Sequence, residues 1–175
     1  MAGTPAMICI SLRYADAPRM FDWLIEAFGF EKLAAHYSED GRTLLHGELR
    51  MGDSVVMLGS AEDNAFGKLV SRPAERGGTT ASPYVATEGI DALCERARRA
   101  GAEICMEPTD QPYGSRDFIC RDPEGHVWCF GTYRPGSTLP DQAAASFGRR
   151  ARLSSQQTIA RFTRFQASPL RKATR

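Results

Sequence analysis

Two stretches of the chain share one order of hydrophobic and polar positions. Residues 14–31 and 86–103 superpose at an offset of 72 residues, which aligns Gly29 with Gly101. In both stretches the apolar side chains recur at the 3.6-residue spacing of an amphipathic helix. They are Met20, Phe21, Leu24 and Phe28 in the first stretch and Ile90, Leu93, Ala97 and Ala100 in the second. The pattern predicts two equivalent helices, each followed by a glycine that can adopt the left-handed conformation common at helix ends.

Short β-type segments surround each predicted helix, one before it and three after it. They are Met7–Arg13, Glu31–Tyr37, Thr43–Arg50 and Ser54–Gly59 in the first half, and Ala81–Thr87, Glu103–Met106, Arg116–Arg121 and Val127–Thr132 in the second. Turn residues separate the segments, most clearly at Asp122-Pro-Glu-Gly125. The sequence therefore predicts an α+β fold of two βαβββ modules, residues 7–60 and 81–134, joined by a linker over residues 61–80.

A sheet that carries a helix on one face leaves its other face to be covered by something else. Two such modules predict curved mixed sheets around a concave cavity of ligand size. On the third strand His46 and Glu48 alternate with Leu45, Gly47 and Leu49, so the first two are expected to project into the cavity. A histidine beside a carboxylate is a candidate acid–base pair. The same spacing is also common on a solvated polar face.

Candidate ligand contacts follow from the same alternation. Cys9 shares its strand face with Ser11 and Arg13. Arg13 is suited to anchor a carboxylate or phosphate, and an ion pair with Glu48 is the competing interpretation. Tyr113 and Arg116 precede the seventh strand, at the expected mouth of the cavity, where loop residues often contact ligands.

The composition is that of a soluble globular protein, with 42% hydrophobic, 25% charged and 9% aromatic residues. Uncharged apolar runs such as Met7–Leu12 are far shorter than the roughly 20 residues needed to span a bilayer. The N-terminus lacks the pattern of a secretory signal, and the five cysteines form no CxxC pair. We therefore expect a reducing, cytoplasmic location and no membrane contact.

The formal net charge of +1 is unevenly distributed along the chain. Residues 1–145 contain 14 basic and 21 acidic residues, a charge of −7, whereas residues 146–175 contain eight basic residues and no acid. We therefore separate a body, residues 1–134, from a basic C-terminal extension, residues 135–175. Residues 154–167 are compatible with a short helix that contacts nucleic acid or docks on the acidic body, and a mobile extension is the simpler alternative. The acidic body favours cationic ligands.

Several motifs resemble those of the vicinal oxygen chelate superfamily, which includes glyoxalase I, the bleomycin-resistance proteins and the extradiol dioxygenases. The motifs are Leu12–Ala17 with Phe28–Glu31, Gly47–Ser60, and Pro112–Asp117 leading into Asp122–Trp128. They are most similar to the glyoxalase-like branch first named from a phosphonate operon. The resemblance covers about residues 7–134, and it implies a homodimer with a ligand-binding cup.

Enzymes of that superfamily hold a divalent metal ion with His, Glu or Gln side chains on the first and fourth strands of each module. In this sequence the family register places those positions at Cys9, Met57, Ser82 and Cys129, and the internal offset of 72 gives Ala81 in place of Ser82. None of them carries an imidazole or a carboxylate. The resemblance thus implies a member without the usual metal ligands, and we expect no cofactor. A soft copper(I) site made from Cys9, Cys129 and Met57 is a less favoured alternative.

The sequence leaves two functions open. The favoured one is a metal-independent protein that binds a small molecule in its cup. The alternative is a lyase or a dioxygenase-type enzyme that acts on a small oxygenated substrate, either with an atypical metal site or with His46 and Glu48 as acid and base.

Overall fold

The computed structural model describes residues 6–136. It divides them into a first unit, residues 6–111 and 115–133, and a second unit made of Pro112–Gly114 and residues 134–136. The helix predicted over residues 154–167 lies outside the described residues, as does nearly all of the predicted extension. Within residues 6–136 no helix is both long enough and apolar enough to cross a membrane.

The chain order of helices and strands is βαβββ twice, which confirms the predicted fold. The first module contains β1 (Ile10–Tyr14), α1 (Ala17–Phe28), β2 (Glu31–Tyr37), β3 (Leu44–Met51) and β4 (Ser54–Ser60). The linker contains one short helix, α2 (Pro73–Arg76). The second module contains β5 (Tyr84–Ala86), α3 (Ile90–Arg99), β6 (Glu103–Asp110), β7 (Arg116–Arg121) and β8 (Val127–Gly131).

The two modules build one four-stranded sheet each, and the strand orders correspond. The first sheet has the order β1-β4-β3-β2 and the second β5-β8-β7-β6. In each sheet the first strand pairs in parallel with the last, and the other pairs are antiparallel. The parallel pair requires a crossover, because the rest of the module lies between its two strands in the sequence.

The first helix has the ends that its sequence predicts. The carboxylate of Asp16 accepts a hydrogen bond from the backbone N–H of Arg19 over 3.2 Å, which satisfies one of the free donors in the first turn. At the other end Gly29 has φ +79°, and its N–H donates to the carbonyl oxygen of Ile25. The left-handed glycine lets the chain turn directly into β2.

The buried faces of the two helices and two sheets form one shared core. The ring of Phe28, at the end of α1, lies 5.2 Å from the ring of Trp128 and 4.7 Å from that of Phe130, both on β8. Nε1 of Trp23 on α1 donates to the carbonyl oxygen of Ala100, just after α3, over 2.7 Å. Each large aromatic side chain buried in this way stabilises the fold by about 1.5–3 kcal/mol.

The predicted side-chain alternation holds on β3 except at its start. Gly47 and Leu49 are buried as expected, but Leu45 is 50% exposed and its neighbour Leu44 is buried. The cause is a shift in the pairing with β2, where His36 pairs with His46 but the next residue pairs with Leu44. Leu45 is the extra residue of this bulge, so the alternation restarts after it.

Candidate ligand-binding site

Each sheet has one face that its helix does not cover, and we call it the open face. On the first sheet it carries Ser11, Arg13, His46, Glu48, Met57 and Gly59. On the second sheet it carries Tyr84, Asp117, Ile119, Cys129 and Gly131. The residues that alternate with these, such as Leu12, Leu58 and Phe130, are buried against the helices. His46 and Glu48 thus lie on the face away from the helix, and their projection into a ligand cavity stays a prediction.

The strand registers identify which positions of the two modules are equivalent. Met57 lies between Ser11 and Glu48 on the neighbouring strands, and Cys129 lies between Tyr84 and Ile119. Ser11 thus corresponds to Tyr84. Two residues earlier in each module, Cys9 therefore corresponds to Ser82. Of the two alternatives given by the sequence, this register favours Ser82 over Ala81.

The four positions at which the family resemblance implies metal ligands lack the imidazole and carboxylate groups that hold the divalent metal ion in enzymes of the family. They supply two thiols, one thioether and one hydroxyl instead. Burial raises the pKa of Cys129, and a smaller opposing effect comes from its hydrogen bond with Ser82. In the metal-free protein the thiol is therefore mainly protonated at neutral pH. Across residues 6–136 no three His, Cys, Asp or Glu side chains are grouped so as to hold a metal ion.

His46 and Glu48 form the pair that the sequence predicted. Nε2 of His46 lies 2.9 Å from Oε1 of Glu48, and the two side chains are 44% and 36% exposed. The ring of His36 on β2 stacks beside that of His46, with 6.3 Å between the centroids. The pair faces solvent on the open face, and its use as an acid–base pair stays a prediction.

Arg13 does not pair with Glu48, because that carboxylate is bonded to His46. Its guanidinium instead lies over the ring of Phe66, 4.8 Å from the centroid. It also occupies the space above Gly59, where any side chain would collide with it. Within the described part of the chain Arg13 forms no ion pair. The guanidinium is therefore positioned by packing and retains its capacity to bind an anion.

The structure gives Arg116 a different role from the predicted ligand contact. Its guanidinium donates to both carboxylate oxygens of Asp91 over 2.8 and 2.7 Å, and to Asp110 over 2.8 Å. These contacts raise the pKa of Arg116 and lower that of Asp91. Arg116 thus ties α3 to β6, and its contact with a ligand stays a prediction. Tyr113 belongs to the second unit, so its part in the site stays a prediction.

A polar cluster on the second open face was not found from the sequence. The hydroxyl of Ser115 donates to the buried carboxylate of Asp117 and accepts from the N–H of Tyr133. The hydroxyl of Tyr84 donates to the carbonyl oxygen of Tyr133 over 3.0 Å, and burial raises the pKa of Tyr84. Gly131 makes room for both Asp117 and Tyr84. This strand glycine was the signal available, because such glycines often mark a close approach of other groups.

Comparisons with known proteins agree with this geometry. The family model described as Glyoxalase/Bleomycin resistance protein/Dioxygenase superfamily matches residues 7–130. The uncharacterized protein Rv0887c of Mycobacterium tuberculosis is 32% identical over 116 residues, which are 66% of this chain and 68% of that protein.

Solved structures show the same fold. TioX from Micromonospora sp. ML1 superposes with a TM-score of 0.59 at 30% identity, over 74% of this chain and 100% of TioX. TnmS3, an antibiotic binding protein from Streptomyces sp. CB03234, superposes with a TM-score of 0.52 at 21% identity, over 74% of this chain and 96% of that one. At that identity the likeness to TnmS3 shows the fold alone.

Proposed function

This chain belongs to the Glyoxalase/Bleomycin resistance protein/Dioxygenase superfamily, and from that premise we propose that it binds a small organic molecule without using a metal ion. The observation that carries the proposal is the donor set at the four positions implied by the family resemblance. Met57 and Cys129 lie in β4 and β8, and Cys9 and Ser82 lie just before β1 and β5. Their thiol, thioether and hydroxyl groups do not provide the ligands that the metalloenzymes of the family need.

The open faces have the mixed character of a small-molecule site. Met57 and Ile119 offer apolar surface, while Ser11 and Tyr84 place hydroxyl groups beside it on the same faces. Sites for organic molecules combine an apolar lining with a few polar groups that fix orientation. An amphipathic ligand matches this surface. The fold shared with an antibiotic binding protein supports the same conclusion.

We also expect a homodimer, as the family resemblance implies, because each open face is a sheet surface without a helix over it. Sedimentation velocity of the purified chain measures this directly. A species with the mass of one chain at micromolar concentration would contradict the dimer and would leave the ligand proposal to be tested on its own.

Metal analysis tests the proposal. Protein purified without chelators should contain far less than one divalent metal ion per chain, and cobalt or nickel should not bind in stoichiometric amount. A panel of amphipathic aromatic compounds should then be screened for a rise in Tm, since a ligand at 100 times its Kd adds about 2.7 kcal/mol to stability. Met57→Ala should reduce that rise, whereas Leu33→Ala, at an exposed position of β2, should not. One tightly bound divalent metal ion per chain would overturn the proposal.

The 2.9 Å contact of His46 with Glu48 supports a second candidate, an enzyme that moves a proton on a small oxygenated substrate. In that case Glu48 would orient the imidazole and His46 would accept the proton. The variants His46→Gln and Glu48→Gln separate the two functions. If the protein only binds ligands, neither the wild type nor the two variants should turn over a substrate, and the variants should rank the ligands in the same order of affinity. If it is an enzyme, both variants should lose turnover while still binding the substrate.

A further inference from the structure

We infer that a cavity beside β1 binds the anionic group of a small organic ligand through Arg13 and Arg76. The cavity has a volume of about 470 Å³, within the range of roughly 300–1,000 Å³ typical of small-molecule sites. Residues Ile10–Arg13 of β1 line it together with residues of the linker between Leu69 and Ala81 and with His126. The inference rests on the proposed function and names the chemical class of the ligand.

The charged groups of this lining are all of one sign. Arg13 and Arg76 supply two guanidinium groups, and no Asp or Glu side chain is among the lining residues. Hydroxyl groups that can donate come from three further residues of the lining, Ser11, Ser71 and Thr80, whereas the hydroxyl of Thr79 donates to the carbonyl oxygen of Ala81. Guanidinium groups with hydroxyl donors around them match the oxygens of a carboxylate or a phosphate.

Both arginines are available to a ligand. Arg13 forms no ion pair within the described part of the chain, and it is fixed between Phe66 and Gly59. Arg76 donates through Nε to the hydroxyl of Ser71 over 3.1 Å, and among residues 6–136 it too lacks an ion pair. The guanidinium of Arg13 is already oriented by packing, so less conformational entropy is lost when an anion binds to it.

The positive charge of the cavity lining is opposite in sign to the net charge of residues 1–145, and the lining determines the charge of the ligand. Residues 1–145 carry a formal charge of −7, which by itself favours a cation. Interactions between exposed charges are screened over about 8 Å at physiological salt, so a bound group responds mainly to the side chains that contact it. A neighbouring cavity of about 370 Å³ also contains Arg13 and a second arginine, Arg72, but its three carboxylates, Glu62, Asp63 and Glu75, outnumber the two guanidinium groups. The anion is therefore expected in the cavity that contains both Arg13 and Arg76.

The test follows the arginine side chains of the full-length, ¹⁵N-labelled protein by NMR. Phenyl phosphate and benzoate serve as anionic probes, and benzylamine serves as a cation of similar size. Each anion that binds should shift the Nε–Hε resonances of Arg13 and Arg76, and the tighter of the two identifies the preferred anionic group. Arg13→Gln and Arg76→Gln should each weaken binding about tenfold or more, as expected for a lost charge-assisted hydrogen bond. Arg76 is exposed on a four-residue helix, so its variant is expected to fold.

Arg42→Gln is the matched control, because it removes one exposed positive charge between β2 and β3. It should leave the affinity unchanged. Equal weakening by Arg42→Gln, equally tight binding of benzylamine, or no binding of either anion at millimolar concentration would overturn the inference. Metal content is measured separately. If the protein contains no metal and binds neither anion, only the anion site is refuted. If it contains a bound metal ion and an anion shifts the resonance of Arg76, only the metal-independent function is refuted.

Discussion

The hydroxyl of Tyr14 donates a hydrogen bond to Oδ2 of Asp122 over 2.8 Å, and this bond joins β1 of the first module to the β7–β8 hairpin of the second. Asp122 is buried and also accepts from Nε1 of Trp128 and from the backbone N–H groups of Glu124 and His126. The hairpin turn thus holds the two modules together through the carboxylate of Asp122, each oxygen of which accepts two hydrogen bonds.

Removal of the Tyr14 hydroxyl should weaken this junction. Tyr14→Phe keeps the buried ring but deletes a hydrogen bond to a charged acceptor, so we expect the free energy of unfolding at pH 7 to fall by about 1.5–3 kcal/mol. Urea denaturation followed by circular dichroism measures the change. Tyr37→Phe is the control, because Tyr37 is exposed on β2. Equal stability of the two variants would contradict the role of the bond.

The same tyrosine should make the protein sensitive to alkaline pH. Burial, followed by the negative charge of Asp122, raises the pKa of Tyr14 well above its ordinary value of 10.0. A group whose pKa is raised by folding contributes stability that is fully present below its unfolded pKa and is lost as pH rises toward its folded pKa. Wild-type stability should therefore fall more steeply above pH 10 than that of Tyr14→Phe. Parallel pH profiles of the two proteins would exclude this effect.

Glu124 should stabilise the start of α1 from the opposite module. Its carboxylate accepts from the backbone N–H groups of Ala15 and Asp16 over 2.5 and 2.9 Å, at the helix end where negative charge is favourable. Glu124→Gln removes the charge and one of the acceptors, so we expect a loss of about 0.5–2 kcal/mol in thermal or urea unfolding. Glu39→Gln, in the exposed β2–β3 turn, should change stability by much less. A loss of the same size in both would show a general charge effect.

The sequence was sufficient to predict what depends on local periodicity. Leu24 and Phe28 repeat at helical spacing and are buried, and the pairing of His46 with Glu48 needed only the two-residue period of a strand. Leu45 was assigned to the wrong face because a bulge is set by how two strands pair, and no local pattern shows it.

Contacts between distant residues were not predicted from the sequence. The ion pair of Arg116 with Asp91 is one of them, because Asp91 lies on another element, 25 positions away in the sequence. Tyr14 and Asp122 are separated by 108 positions. Such contacts depend on how the two modules pack, and neither composition nor spacing reports this. The two arginines of the anion cavity are also distant in the sequence, because Arg13 lies on β1 and Arg76 lies in the linker between the modules.

The thiol of Cys129 should react slowly in the folded protein. Its raised pKa leaves little thiolate at neutral pH, and the thiolate is the reactive form. We expect labelling at pH 8 to be slower than in urea-unfolded protein, as measured by mass spectrometry of the peptide that contains Cys129. Ser82→Ala should slow labelling further, because the hydrogen bond from Ser82 lowers this pKa. Rapid native-state labelling would instead favour an enzyme with a reactive cysteine.

Gly59→Ala should separate ligand binding from stability. A Cβ at this position collides with the guanidinium of Arg13, the flexible end of a side chain, and comes within 3.2 Å of the carbonyl oxygen of Leu45. Arg13 can swing away, so we expect a loss of stability of about 1 kcal/mol, at the low end for added bulk in a packed site. The displaced guanidinium should no longer hold an anion, and the affinity for phenyl phosphate should fall by about tenfold or more.

Gly131→Ala, at the equivalent position of the second sheet, is the comparison variant. Its Cβ meets the buried carboxylate of Asp117, so it should destabilise the protein more than Gly59→Ala does. Unchanged anion affinity in folded Gly59→Ala would show that Arg13 does not contact the ligand.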